Sequence, residues 1–120
     1  MSELISECVD LKEGEEIKGS FPCQMDYIKG VLVLTDERMM FIQGGGRFNN
    51  VYRKGLESRY KDILEINLIP GERLRFKLKG DPYSHLIETI DVRMRNITQI
   101  LEKFVNIQYF DASGRHEVLA

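Results

Sequence analysis

Four cations alternate with apolar residues in the most regular two-residue period of this 120-residue sequence. The apolar positions, Leu74, Phe76 and Leu78, predict the buried face of a strand. The opposite face, which we call the basic stripe, carries Arg73, Arg75, Lys77 and Lys79. Aligned cations attract the phosphates of membranes and nucleic acids. The alternative is a solvated strand face whose charges pair with acids such as Glu65, Glu88 and Asp91.

A second group of cations lies in residues 47–61, where five basic residues accompany one acid, Glu57. These cations are Arg47, Arg53, Lys54, Arg59 and Lys61. Residues 1–16 have the opposite bias, with six acids against Lys12, so the net charge of −2 hides an acidic start and a basic centre. An anionic partner is therefore compatible with the acidic composition.

The residues that most often carry catalysis or bind metals are few and scattered. The two histidines are His85 and His116, and the two cysteines are Cys8 and Cys23. Their spacing matches no zinc site, and Ser84 and His85 would face opposite sides of a strand. We therefore expect a noncatalytic protein without a cofactor or metal, whose cysteines are reduced thiols in a cytoplasmic setting.

The middle of the chain predicts a hairpin followed by a loop. Residues 27–35 and 38–43 are β-prone runs separated by Asp36 and Glu37, which is typical of a tight turn. Residues 44–46 are all glycine, and we expect them to end the second strand. They could present backbone N–H groups to a phosphate, but a flexible connection is the simpler interpretation. We expect residues 47–58 to form a long loop with a short strand around Val51 and Tyr52.

The second half predicts three strands and one helix. Strands are expected at residues 60–69, which end before Pro70, at the basic stripe, and around residues 86–92. Asn96 and Gln99 resemble a capping box at the start of a helix. The apolar stripe of that helix consists of Ile97, Ile100, Leu101, Phe104 and Val105. We expect Phe104, near the centre of this stripe, to anchor the helix on the sheet.

Residues 29–42 carry a pattern that is similar to the G-x-L-x-L-T-x-x-R-hydrophobic-x-F hairpin of GRAM and related pleckstrin-homology-like (PH-like) domains. Strand alternation would bury Leu32 and Leu34, with Thr35 and Arg38 flanking the turn. Residues 60–66 also resemble the polar-x-x-I-x-x-I start of a later strand in this family.

The resemblance implies a mainly β (α+β) fold, a PH-like antiparallel β-barrel or sandwich capped by one C-terminal helix. The PH-like domain would span residues 14–110. Residues 1–13 would form an N-terminal extension that could include a short helix, because Leu4, Ile5, Cys8 and Val9 have helical spacing. Residues 111–120 would form a flexible tail.

Members of this family bind phosphoinositides, peptides, ubiquitin or their own copies, so the fold alone does not name a ligand. The loop between the first two strands, residues 24–27, contains Asp26 and no Lys or Arg, which argues against a strong phosphoinositide site. We therefore expect a protein-interaction adaptor, with ubiquitin or a ubiquitin-like protein as the partner that the resemblance to GLUE domains of the ESCRT sorting machinery implies.

Two alternatives remain open. One is homo-oligomerisation through an edge strand, as in bacterial PH-like domains. The other is peripheral binding of anionic phospholipid, whereas a nucleic acid partner is not expected. Such membrane contact would be peripheral, since no apolar run approaches the ~20 residues needed to cross a bilayer. The binding residues would be Arg47, Arg53, Lys54, Arg59, Lys61, Arg73, Arg75, Lys77 and Lys79.

Overall fold

Most of the described chain forms one mainly antiparallel sheet. The structure, a computed structural model, describes residues 8–46, 49–110 and 116–117. The strands are β1 (Ile17–Met25), β2 (Ile28–Thr35), β3 (Arg38–Gly46), β4 (Asn49–Arg59), β5 (Ile63–Ile69), β6 (Arg73–Leu78), β7 (Ser84–Thr89), β8 (Gln108–Phe110) and β9 (His116–Glu117). One helix, α1 (Met94–Leu101), follows β7, and a short 3-10 turn (Tyr60–Asp62) joins β4 to β5. The expected mainly β fold with one C-terminal helix is confirmed.

The strand order is β4-β3-β2-β1-β7-β6-β5-β8-β9, and β5–β8 is the only parallel pair among the described strands. Strand β1 joins two parts of the sheet, because it pairs with β2 along most of its length and its residues 23–25 pair with β7. Side chains of both parts then meet in one core with the helix. That core includes Leu32, Leu34, Phe76, Ile97 and Leu101.

The predicted hairpin is confirmed as β2 and β3, which pair in register from Leu34 opposite Met39 to Gly30 opposite Gln43. Leu32 and Leu34 are fully buried, as expected. Gly30 is required at its position because a Cβ there would clash with the Ile42 carbonyl oxygen. The glycine of the hairpin pattern therefore permits close approach of the two backbones.

The outer face of this hairpin is also buried. Val33, Met40 and Ile42 pack there against Val9 in a second apolar cluster. Cys8 and Val9 are helical, which agrees with the expected N-terminal helix, whereas Leu4 and Ile5 lie outside the described residues. Val9 has only 1% of its surface exposed, so this segment is part of the packed structure.

The expected loop at residues 47–58 is wrong. Its described residues belong to β4, which pairs with β3, and the glycines at 44–46 are the last three residues of β3. The pairing shifts where Phe41 opposes Leu56 and Ile42 opposes Lys54, which leaves Gly55 as an extra residue. Such a bulge interrupts the two-residue period by which strands are identified, and an edge strand needs few buried side chains. Arg47 lies outside the described residues.

The predicted helix begins earlier and ends sooner than expected. Its N-cap is Arg93, which makes no side-chain capping bond, so Asn96 is the third helical residue rather than a cap. Met94, Ile97, Thr98 and Leu101 are its buried residues.

Phe104 lies beyond the end of the helix. Its ring is half-buried and stacks on Tyr60 with ring centroids 4.6 Å apart. It therefore contacts the core from the segment after the helix.

A buried ion pair connects four segments of the chain. The Arg38 guanidinium donates from Nε to Glu15 Oε2 at 2.7 Å and from Nη2 to Glu15 Oε1 at 2.8 Å. Nη2 also donates to the carbonyl oxygens of Val9 and Asp10, and Nη1 donates to Glu57 on β4. Only 4% of the Arg38 side chain is exposed, and Glu15 is fully buried.

Thr35 extends this network into the β2–β3 turn. Its hydroxyl donates to Glu15 Oε2 at 2.7 Å and accepts the backbone N–H groups of Glu37 and Arg38. The Tyr60 hydroxyl donates to the Thr35 carbonyl oxygen at 2.7 Å. The threonine and arginine of the hairpin pattern thus fix the turn and attach the N-terminal segment and β4 to it.

The first prediction tests the helix. Ile97→Ala should lower the free energy of unfolding by about 2–5 kcal/mol, because it removes a fully buried side chain from the core. The matched control is Asn96→Ala, an exposed position that should change stability by less than about 0.5 kcal/mol. Urea denaturation measures both. A cost near 1 kcal/mol at Asn96 would instead indicate a capping residue.

The second prediction concerns the buried ion pair. Arg38→Ala should cost about 3–5 kcal/mol, because it leaves the Glu15 carboxylate buried without its cation. The hydrogen bond from Arg38 lowers the pKa of Glu15 from 4.5 to about 2, although burial opposes this shift. A lowered folded-state pKa contributes stability above pH 4.5 that is lost as the pH falls towards 2.

Denaturation measured between pH 2 and 6 should therefore show that the free energy of unfolding of the unmodified chain falls in acid. The fall should be smaller in the Arg38→Ala variant. Arg59→Ala, on the exposed side of β4, is the matched control and should cost less than about 1 kcal/mol. Equal effects of the two changes would contradict the central role of Arg38.

Candidate functional site

The β1–β2 turn lies beside the start of β7 at one end of the sheet, because the end of β1 pairs with residues 87–89 of β7, with Met25 opposite Ile87, and the N–H of Asp26 bonds to the Leu86 carbonyl oxygen. The β1–β2 turn consists of Asp26 and Tyr27, whose φ angles are 53° and 67°. Two consecutive left-handed residues are typical of a tight type I′ hairpin turn. Asp is well suited to that conformation, but Tyr is not.

A histidine joins the β1–β2 turn to the β6–β7 turn. His85 Nδ1 lies 2.7 Å from Asp26 Oδ2, and His85 Nε2 lies 2.6 Å from Asp81 Oδ2. The His85 ring stacks on Phe76 with ring centroids 5.3 Å apart. We call this arrangement of Asp26, Asp81 and His85 the His85 clasp.

Backbone bonds support the clasp on the β1 side. The N–H of Asp26 donates to the Leu86 carbonyl oxygen at 2.8 Å, and the N–H of Leu86 donates to Asp26 Oδ1 at 2.9 Å. On the other side, the N–H of Tyr83 donates to Asp81 Oδ1 at 2.9 Å, which is a bond within the β6–β7 turn. Each aspartate therefore uses one oxygen to order backbone and the other to contact the imidazole.

The electrostatics of the clasp favour a charged imidazole. Burial opposes protonation of His85, but the hydrogen bonds and charges of Asp26 and Asp81 outweigh it and raise the pKa of His85 above 6.5. The hydrogen bond from His85 in turn lowers the pKa of Asp81. Ionised carboxylates only accept hydrogen bonds, so the ring can donate to both of them only as an imidazolium.

Large apolar side chains are exposed on the two joined turns. Tyr27 is 77% exposed, Tyr83 is 73% exposed and Ile28 is 51% exposed. We call these three residues the tyrosine tip. Contiguous exposed apolar groups usually mark an interaction surface, and here the turns that carry Tyr27 and Tyr83 are joined through His85. A small cavity of about 100 Å³ lies beside the tip, and His85, Ile28, Phe41 and Leu56 are among the residues that line it.

The basic stripe has the predicted alternation on β6. Leu74, Phe76 and Leu78 are buried, and Arg75 and Lys77 are exposed. Arg73 is half-buried and donates from Nε to the Pro70 carbonyl oxygen, and Lys79 lies beyond the end of the strand. Arg73 opposes Glu88 and Lys77 opposes Glu65 in register, yet no stripe side chain forms an ion pair within 4.0 Å in the described part of the chain.

The two predicted groups of cations do not form one surface. Arg53, Lys54 and Arg59 lie on β4, which is separated from β6 by four strands in the sheet order. Lys54 pairs with Glu57 at 3.1 Å, and Lys61 lies in the 3-10 turn.

Arg59 and Lys79, one from each group, line a common groove of about 650 Å³. Lys12, which the sequence did not single out, lies there too. The acids Glu57 and Asp62 share the groove, so it is not a purely cationic pocket.

The tyrosine tip and the His85 clasp are not predicted from the sequence. In the sequence, Asp26 is recognised only as an acid in a loop, and His85 only as a histidine without a catalytic partner. A sequence signal exists within the β6–β7 turn, where Asp81 and His85 are four residues apart. The contact between Asp26 and His85 spans 59 positions and depends on the pairing of β1 with β7, which the residue pattern does not specify.

Comparison with family models and with curated proteins gives no match to this chain. No helix in the described ranges is long and apolar enough to cross a bilayer. Within the same residues, no three His, Cys, Asp or Glu side chains are grouped so as to hold a metal ion.

Proposed function

We propose that this chain is a noncatalytic PH-like binding module that recognises another protein through the tyrosine tip. The PH-like assignment is supported by the hairpin pattern of residues 29–42 and by the order of the strands, in which β1–β4 and β5–β7 are two antiparallel meanders joined through β1 and accompanied by one helix. Both features are compatible with that family. The function must then be argued from the exposed site.

The observation that carries the proposal is the exposure of Tyr27 and Tyr83 on two turns that His85 holds together. Tyrosine is enriched at the centres of protein interfaces, because its ring offers a large contact area while its hydroxyl stays hydrogen-bonded. Ordered turns also lose little conformational entropy on binding. The tip is therefore better suited to a folded protein partner than to a phosphate-bearing headgroup.

The third prediction tests this surface. Tyr27→Asn combined with Tyr83→Ala should weaken binding of the partner at least tenfold, because truncating a central interface tyrosine typically costs about 2 kcal/mol or more. Asn is chosen at position 27 because it tolerates the left-handed backbone. Proteins retained from a lysate by the unmodified chain and by the variant are compared, and purified ubiquitin is titrated against both by calorimetry.

Leu64→Ala is the matched control, since Leu64 is 63% exposed on β5 and lies outside the tip. It should retain every protein that the unmodified chain retains. A partner that is lost equally from the control and the tip variant, or from neither, would contradict the proposed surface.

Peripheral binding of anionic phospholipid is the second candidate. It is favoured by Arg75 and Lys77, which are exposed on one strand face without an ion pair to the described residues. Juxtamembrane cations contribute about 1 kcal/mol each near an anionic surface, and salt screens this attraction.

The fourth prediction distinguishes this candidate from the first. Charge reversal at Arg75 and Lys77 should cost less than about 1 kcal/mol of stability per site, because both side chains are exposed. If the basic stripe binds membranes, the double variant should lose flotation with phosphatidylserine-rich liposomes at low salt. Arg95→Glu with Lys103→Glu is the control of equal charge, since both residues are exposed and lie outside the two groups of cations. Flotation that is unchanged by either pair would remove the membrane candidate.

A further inference from the structure

The His85 clasp is the only contact by which Asp81 reaches the β1–β2 turn among the described residues. Asp81 Oδ2 contacts His85 Nε2, whereas Asp81 Oδ1 accepts the N–H of Tyr83 within its own turn. Asp26 differs, because it also bonds to the backbone of Leu86 through its N–H and its second oxygen. Loss of one imidazole proton would therefore release the β6–β7 turn more readily than the β1–β2 turn.

We propose that the His85 clasp is a proton-dependent switch that holds the β6–β7 turn against the β1–β2 turn when the imidazole is charged and releases it when the imidazole is neutral. This inference rests on the proposed function in one respect: the switch sets the relative position of Tyr83 and Tyr27, and so the affinity of the tyrosine tip for its protein partner. That affinity falls as the pH rises.

The groups that face the imidazole come from three elements. Asp26 approaches from the β1–β2 turn, Asp81 from the β6–β7 turn, and the uncharged ring of Phe76 from β6. Lys77 on β6 acts on Asp81 through its charge. The two negative carboxylates outweigh the one positive lysine, so the local electrostatic field stabilises the imidazolium. This agrees with the raised pKa of His85.

The direction of the pH effect follows from that shift. The folded-state pKa of His85 is raised above its ordinary value of 6.5. Its stabilising contribution is therefore complete below pH 6.5 and is lost as the pH rises through the raised folded-state value. Deprotonation releases one proton to solvent and leaves one of the two carboxylates without a donor on the ring.

The test is an NMR titration of the full chain between pH 5 and 9. His85 should titrate above 6.5. Through the same transition, the backbone order parameters of Asp81 and Tyr83 should fall towards values of flexible turns, below about 0.6, while Asp26 stays near the rigid value of about 0.85. Asp81→Asn should move the His85 titration to lower pH and remove this transition.

Asp91→Asn is the matched control, because Asp91 is an exposed aspartate outside the clasp. Its left-handed φ of 57° is comparable with the 53° of Asp26. It should leave the titration of His85 unchanged. A His85 pKa at or below 6.5, or turns whose order parameters do not change through the titration, would overturn the switch.

Partner binding provides a separate measurement. The protein that depends on the tyrosine tip should bind about fivefold or more weakly at the high-pH end of the His85 titration, and Asp81→Asn should abolish this pH dependence. Turns that loosen in the titration without any tip-dependent partner would contradict the proposed function while leaving the switch intact. If a tip-dependent partner binds with the same affinity throughout the His85 titration, the proposed coupling between His85 protonation and partner binding is contradicted.

Discussion

The Arg38 guanidinium is the constraint on which the first half of the sheet depends. It is buried, and its hydrogen bonds reach Glu15, the two carbonyl oxygens that end the N-terminal helical segment, and Glu57 on β4. Burying a charge is costly unless it is paired and fully hydrogen-bonded, so these partners must hold their positions together. The cation thereby fixes the β2–β3 turn, places Val9 over the outer face of the hairpin, and attaches the edge strand β4. This network gives Thr35 and Arg38 of the hairpin pattern a structural role that requires no ligand.

The sequence predicts those elements of the fold that leave a local residue pattern. Strand β6 was predicted because alternating burial leaves a two-residue period in the sequence. The β2–β3 hairpin, which is buried on both faces, was predicted from two β-prone runs separated by Asp36 and Glu37. Only a short strand around Val51 and Tyr52 was predicted within β4, because most of residues 53–59 are exposed and a bulge at Gly55 breaks the period. The helix was predicted from its apolar stripe, but its ends were misplaced, since Arg93 supplies no side-chain cap for a pattern to reveal.

The candidate site was predicted less well than the fold, for a related reason. The basic stripe is a property of one strand and can be read locally. The His85 clasp combines Asp26 with Asp81 and His85, which follow it by 55 and 59 positions in the sequence. These residues meet only because β7 pairs with β1. Local patterns do not encode such long-range pairings in a single sequence. The cations that appeared to form one basic region are divided between β4 and β6, whose separation in the sheet likewise depends on strand order.

The conformation of Tyr27 favours an interaction role for the tip over a structural one. A residue with a Cβ in the left-handed region is disfavoured by roughly 1–2 kcal/mol, and Asn or Gly would relieve that strain in a two-residue hairpin turn. Tyr27 recovers little of this cost through burial, because 77% of its surface is exposed. Glycine occupies the left-handed positions at 71 and 80, and the other left-handed non-glycine residues of the described chain besides Tyr27 are Glu72 and the aspartates Asp10, Asp26 and Asp91. Aspartate tolerates this conformation better than tyrosine does. A strained, exposed tyrosine therefore contributes little to the stability of the fold, which is compatible with the binding role proposed for the tyrosine tip.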